Sequence, residues 1–373
     1  MSRMAIAGLG QVSAAGAGVE ALRQALGGVR PEPEWQPAFR GDDGAPVPVL
    51  RARVGDAKRL VAPGIARRLD DFSLPALCAA LLATEGCSAV LPPLERVGIV
   101  VATGYGALGS TFAFLDEIVE KGDGLASPIH FAQSVHNAPA FVMSSALGVT
   151  GPTTTLTGFT LAWTRALETA VDWLDLGVCD LVLLCSADEH HPVVGHARRQ
   201  LGGWARDGRM RPLDLATPSY VPGESFTALA LGRPSEVPAT WGVLEAPRFV
   251  RLAQPAGHGP ATLGSGRVEP RAVLLAACGN PAEAEGYAAL GRGARAVGAY
   301  GALWGANPTA DAMTVLAAAV MLHDATLQPP PACEQHSKDL RLLEPGALGP
   351  TDVLECAVVD ASGRAAIVAV HQG

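Results

Sequence analysis

The stretch Gly151-Pro152-Thr153-Thr154-Thr155-Leu156-Thr157-Gly158-Phe159-Thr160 is followed by residues 165–176, whose apolar positions recur at helical spacing. Gly177 and Asp180 come next, then Leu181-Val182-Leu183-Leu184-Cys185. The spacing predicts a helix ended by Gly177 and a buried strand over residues 180–186. Working outward, residues 96–102 (Arg-Val-Gly-Ile-Val-Val-Ala) form another apolar strand, followed by the turn Thr103-Gly104-Tyr105-Gly106 and a helix from near Ser110. Residues 4–9 predict a strand ending in a glycine turn, residues 18–26 a helix, and residues 226–231 the strand that closes a first half. Residues 30–48, with five prolines among polar and charged residues, predict a surface loop. Beyond the proline-containing stretch 234–247 the plan repeats more briefly. Strands are expected at 272–277 and 294–299, helices at 282–290 and 311–323, and a last pair ending in 365–370. Such alternation belongs to a layered α/β protein, with candidate halves at residues 1–233 and 234–373. The halves share no letter-level repeat; element order alone suggests duplication.

A chain of 373 residues, 49% of them hydrophobic, can bury a large core. A formal charge of −8 and a pI near 5.6 leave no footprint for nucleic acid or an anionic membrane. The seven cysteines, Cys78, Cys87, Cys179, Cys185, Cys278, Cys333 and Cys356, are scattered and partly in apolar runs, the pattern of free thiols in a reducing compartment. Gly8 arrives too early for a signal peptide's apolar segment, and no apolar run reaches the ~18 residues of a spanning helix. A cytoplasmic protein is expected. Gly8-Leu9-Gly10 lacks the third glycine of a dinucleotide-binding turn.

Three motifs carry a resemblance. Residues 151–160, continued through Gly177 and Asp180, resemble the nucleophile segment of the β-ketoacyl synthase family. There Gly-Pro opens a strand and a Thr-Ala-Cys-Ser-type turn presents a thiol at a helix N-terminus. Ser127-Pro128-Ile129-His130-Phe131-Ala132-Gln133-Ser134-Val135-His136-Asn137-Ala138 resembles the segment preceding it, in wording closest to the aryl polyene-type branch. Arg211-Pro212-Leu213-Asp214 with Gly223-Glu224-Ser225 resembles the family's Arg-Pro-Phe-Asp … Gly-Glu-Gly-Ala signature. The resemblance implies a thiolase-like α/β/α/β/α sandwich of two fused halves, dimerising through the strand near residues 153–156.

The family's catalytic residues are replaced. Thr160 stands at the cysteine position. Ala277-Cys278-Gly279-Asn280 and Tyr300-Gly301-Ala302-Leu303-Trp304-Gly305-Ala306 resemble the two histidine turns, with Cys278 and Ala302 at the histidine positions. Residues 357–363 keep only the last glycine of the family's glycine-rich gate. A condensing enzyme needs a thiolate and two imidazoles. The resemblance therefore implies a chain-length-factor-type subunit that pairs with a catalytic β-ketoacyl synthase, meets an acyl carrier protein and needs no cofactor. Its expected tunnel and interface residues are Phe112, Phe114, Phe131, Val135, His136, Phe159 and Trp163.

Alternatives stay open at this point. Thr160 either fills the vacated thiol position or is a weak nucleophile awaiting a base. Cys278 is either a buried thiol or a relocated nucleophile, and Trp163 is either ordinary core or the filling of an unused acyl pocket. A divergent acyltransferase or decarboxylase, or a homodimeric carrier-binding scaffold, would use the same fold. Asp188-Glu189-His190-His191 with His196 has a metal-binding composition without ligand spacing, so a solvated loop is expected.

Overall fold

The computed structural model describes residues 2–37, 39, 44, 46–252, 270–331 and 336–373; Cys333 and parts of the 30–48 loop lie outside them. The first half contributes β1 (Arg3–Ser13), β2 (Val97–Thr103), β3 (Thr153–Thr157), β4 (Leu181–Asp188) and β5 (Ser225–Gly232) in the order β3-β2-β4-β5-β1. The second contributes β6 (Val243–Glu245), β7 (Arg248–Arg251), β8 (Ala272–Leu275), β9 (Val297–Gly298), β10 (Val353–Val359) and β11 (Arg364–His371) in the order β9-β8-β10-β11, with β7 on β11. In each half the first three strands of that order run parallel and the remaining pairings are antiparallel. The duplication absent from the letters is therefore present in the topology. Short β6 joins the halves by pairing with β1 on one side and β11 on the other.

Period-two alternation assigns each sheet face to a layer. Val97, Ile99 and Val101 of β2 pack in a cluster with the helix Ser73–Glu85, whereas Val100 and Ala102 face the opposite cluster, built on the helices Ala162–Asp175 and Asp311–His323. On the far side Leu274, Leu354 and Cys356 face those two helices, and Val273, Leu275 and Val359 face the helix Ala284–Arg292 through Tyr287 and Leu290. The two halves of one large sheet thus enclose a central helical layer and are covered outside by further helices. Asp311–His323 is buried along all but its last residue, as its all-round apolar sequence requires.

Two details depart from expectation. β1 does not stop at a glycine turn but continues through Gly8 and Gly10 to Ser13. The helix Ser73–Glu85 presses its backbone there: a Cβ on Gly8 would meet the Ala83 carbonyl at 2.0 Å, and one on Gly10 the Ala79 carbonyl at 2.1 Å. Residues 30–48 are not wholly loop, because Glu34–Gln36 pairs antiparallel with Val47–Val49. No helix among the described residues is long and apolar enough to cross a membrane.

Candidate functional site

The two central helices begin side by side, and Thr164 of the first donates from Oγ1 to Asp311 Oδ2 of the second at 2.8 Å, in full burial. Just before the first helix the chain turns through Leu161, which holds φ +71°, at an expected cost of ~1–2 kcal/mol for a side-chain-bearing residue. Leu161 is anchored in a small cluster with Val358 and Ala366, so packing over-determines the turn. The turn sets Thr160 at the edge of a cavity of about 50 Å³.

Thr160 shares this cavity with Phe159, Cys278, Arg198, Glu283 and Asp311. No histidine lines it among the described residues. The Cys278 Sγ donates to Glu283 Oε2 at 3.8 Å, and Asn280 Nδ2 donates to Glu283 Oε1 at 2.7 Å. Burial pushes the Cys278 thiol well above its ordinary value, Glu283 adds to that push, and Arg198 opposes it. A thiol so raised stays protonated at neutral pH and is a poor nucleophile. Burial also lifts Glu283 to about 7 and Asp311 to about 6. Thr160 makes no side-chain hydrogen bond among the described residues. The cavity can hold protons on its carboxyls, and among the described residues its lining holds no imidazole.

Ala302 does not join Thr160 and Cys278 there. It lines a separate, wider cleft, while Ala306, Asn307, Pro308 and Ala310 close the Thr160 cavity on that side. Both Cys278 and Ala302 pack on the cluster of Met210, Tyr220 and Ala306 between the two. Trp163 is fully buried in the main core, and its Nε1 finds no partner among the described residues.

The expected interface residues divide. Phe131 is 57% exposed and meets Phe114 at 5.4 Å between ring centroids. Phe112, two residues before Phe114 and so on another helix face, stacks on His191 at 4.4 Å and meets Phe39 edge-on. Val135 and His136 are exposed, and the His136 ring covers Gly106, where φ is +66° and a Cβ would clash at 2.5 Å. Phe159 is 68% exposed and meets Tyr105 edge-on. Together with Leu115, Val119, Leu125, Ile129 and Phe141 these residues give the stretch before and after β3 a broad apolar exposure.

The expected solvated loop is corrected. Asp188, Glu189 and His190 are buried. Asp188 accepts from the backbone of Gly104 and Tyr105 and from the hydroxyls of Thr103 and Thr309, and Glu189 accepts from Gly109 N at 2.7 Å. Glu224 accepts from the backbone of Ala52 and His190 and pairs with Arg51 at 3.2 Å. Among the described residues no group of three or more His, Cys, Asp or Glu is arranged to hold a metal.

Sequence reasoning missed Arg198, Glu283 and Asp311. The signals were present: Asn280-Pro281-Ala282-Glu283 starts a helical turn, with the Asn280 side chain accepting from Ala282 N, and Asp311 is the one charge heading an apolar helix.

Comparison with known proteins bears on the fold. The family model of the β-ketoacyl synthase N-terminal domain matches residues 41–202. No curated protein matches the chain. Among solved structures, the ishigamide ketosynthase/chain length factor superposes at TM-score 0.81 with 16% identity, over 100% of this chain and 99% of that one. A chain of AntDE:AntF, a type II polyketide synthase acyl-carrier protein in complex with its ketosynthase, gives 0.79 with 14% identity over 100% of both. A β-ketoacyl synthase from Burkholderia phymatum gives 0.74 with 15% identity over 100% of both. The chain has the thiolase-like fold of the ketosynthases, in two fused halves.

Proposed function

We propose that this chain is a non-catalytic, chain-length-factor-type subunit that pairs with an active β-ketoacyl synthase, in aryl polyene-like or related polyketide or fatty-acid-type biosynthesis, and shapes the tunnel in which a carrier-bound acyl chain grows. Residues 1–233 and 234–373 are its two halves. The observation that carries this reading is the cavity at Thr160, which keeps the position of a nucleophile at a helix N-terminus but is lined by neither a usable thiolate nor an imidazole. Support also comes from β3, a sheet edge flanked by exposed phenylalanines, and from the neighbours, which include a ketosynthase/chain length factor and a carrier-protein complex.

The test has two parts. The isolated chain, given acyl and malonyl carriers, should form no product and no covalent adduct, and Thr160→Cys should not restore condensation because the histidines remain missing. Co-expression with a catalytic synthase encoded beside it should give a one-to-one complex by native mass spectrometry. An acyl adduct mapped to Thr160 or Cys278, or recovery of self-dimers alone beside an unaffected synthase, would overturn the reading.

A further inference from the structure

A second, wider cavity lies outside the Thr160 site. It is a cleft of about 690 Å³, within the size range of small-molecule sites. Two chain segments far apart in sequence bring arginines to it: Arg30 just after the first helix, and Arg209 and Arg211 in the loop before Pro212. Arg30 and Arg209 are exposed and have no acidic partner among the described residues. Arg211 is held by Asp207, and Glu32 is the carboxylate that shares the lining. Arg30 and Arg209 thus bring two guanidiniums without an acidic partner to a cleft whose lining holds the carboxylate of Glu32, on a chain whose net charge is −8. Such convergence costs repulsion unless an anion occupies it.

The floor is different. Leu50 and Met210 are buried apolar side chains, and Ala302 lies beside Met210 on the wall that separates the cleft from Cys278. Pro31, Pro33 and Pro331 stiffen the sides, so the shape is pre-formed and little ordering entropy is lost on binding. At Gly208, with φ +72°, a Cβ would press on Pro33 at 3.2 Å, so the loop can lie close against that wall.

We propose that this cleft binds an anionic amphiphile: a phosphate ester whose head is gripped by Arg30 and Arg209 and whose apolar tail lies over Leu50, Met210 and Ala302. A phosphate offers three oxygens and up to two charges to the two arginine forks, where a carboxylate offers two oxygens and one charge. The site is independent of pairing, since none of these residues lies on β3 or among the exposed phenylalanines.

Calorimetry on the purified chain separates the elements, with pyrophosphate as head alone, octyl phosphate as head and tail, and octanoate as a tail with a carboxylate. Octyl phosphate should bind saturably, roughly tenfold or more tighter than either of the others, and weaken with salt. Arg30→Ala with Arg209→Ala should lower its affinity by about tenfold or more while leaving the melting temperature unchanged, because both side chains are exposed. Met210→Gln should weaken octyl phosphate and leave pyrophosphate unaffected. No saturable binding of octyl phosphate, or equal binding by the arginine variant with its fold intact, would overturn the proposal whatever the pairing experiment shows.

Discussion

At one end of the molecule β3 closes the first half's sheet, and at the corresponding place in the second half β9 closes the other. The two edges have been treated differently. β9 is two residues long, fully buried, and covered by the chain at 341–343: Val297 N donates to the Arg341 carbonyl and Leu343 N to the Val297 carbonyl, both at 2.8 Å. β3 is five residues long, exposed at Thr153 and Thr157, and unpaired along its outer side among the described residues. Phe141 at 71% and Phe159 at 68% exposure stand near it. An open strand with apolar neighbours is what isolated proteins avoid and what dimers use. Of the two sheet ends compared, the one left open among the described residues is β3, next to Thr160.

Placing charge at the open edge should break this asymmetry most severely. Phe141→Glu with Phe159→Glu is expected to weaken association at least a hundredfold, about 3 kcal/mol or more. Both rings are already in water in the single chain, so circular dichroism and melting should remain close to those of the parent. Ultracentrifugation of the proposed complex with a catalytic synthase reads the effect. An undiminished complex would place the pairing surface elsewhere.

The reverse experiment uncovers the other edge. Leu343→Pro deletes the N–H that caps Val297, at a cost of roughly 3 kcal/mol. Leu343→Ala, which keeps that N–H, controls for the buried side chain. The proline variant alone should self-associate with rising concentration on light scattering, as a newly bared strand edge does. If both variants behave alike, the segment at 341–343 is packing rather than cover.

How far the sequence carried this picture follows from which forces act locally. The helix at 18–26 was legible from its apolar period and the glycine that follows it, and the helix at 311–323 from a long apolar run headed by Asp311. The length of β1 was not, since the glycines that looked like a turn are dictated by a helix 70 residues away. Thr160 and Cys278 could be placed in one site by resemblance, but Ala302 could not, because Asn307 and Pro308 take the facing position in three dimensions. The Asp188 to His190 run misled for a similar reason. Its polarity suggested water, whereas backbone N–H groups from distant turns satisfy the carboxylates inside.

The exposed face can be sharpened residue by residue. Phe131→Ala or Phe114→Ala, which remove the two rings that meet at 5.4 Å, should lengthen the product by one or more extension units while the complex still assembles. Phe112→Ala should leave the profile unchanged, since that ring is turned toward His191 and Phe39. Mass spectrometry of the products decides it, and an unchanged profile for both Phe114 and Phe131 variants would remove the length gate from this face.

The smallest expected effect compares the ends of β4 and β10, which correspond in the two halves. After β10, Asp360 is also buried but is paired with a cation, accepting from Ser362 and from Arg364 Nε at 2.7 Å. After β4, burial lifts Glu189 to about 8, with Asp70, Glu224 and Asp71 adding repulsion, and lowers His190 to about 3. The unfolded chain releases the Glu189 proton near 4.5, whereas the native chain holds it to about 8. Between those values the native state binds more protons, so stability falls as pH rises through the window. His190 acts in the opposite sense: the unfolded imidazole takes a proton near 6.5 and the native one only near 3, so stability falls as pH drops through that range. Glu189→Gln keeps an acceptor for Gly109 N and removes the charge. It should raise the melting temperature at pH 9 by roughly 2 °C or more and change it little at pH 5. Asp360→Asn should lower it at pH 9, because a carboxylate bound by Arg364 is lost. Equal shifts for Glu189→Gln at both pH values would mean that the buried acid is not the source of the pH dependence.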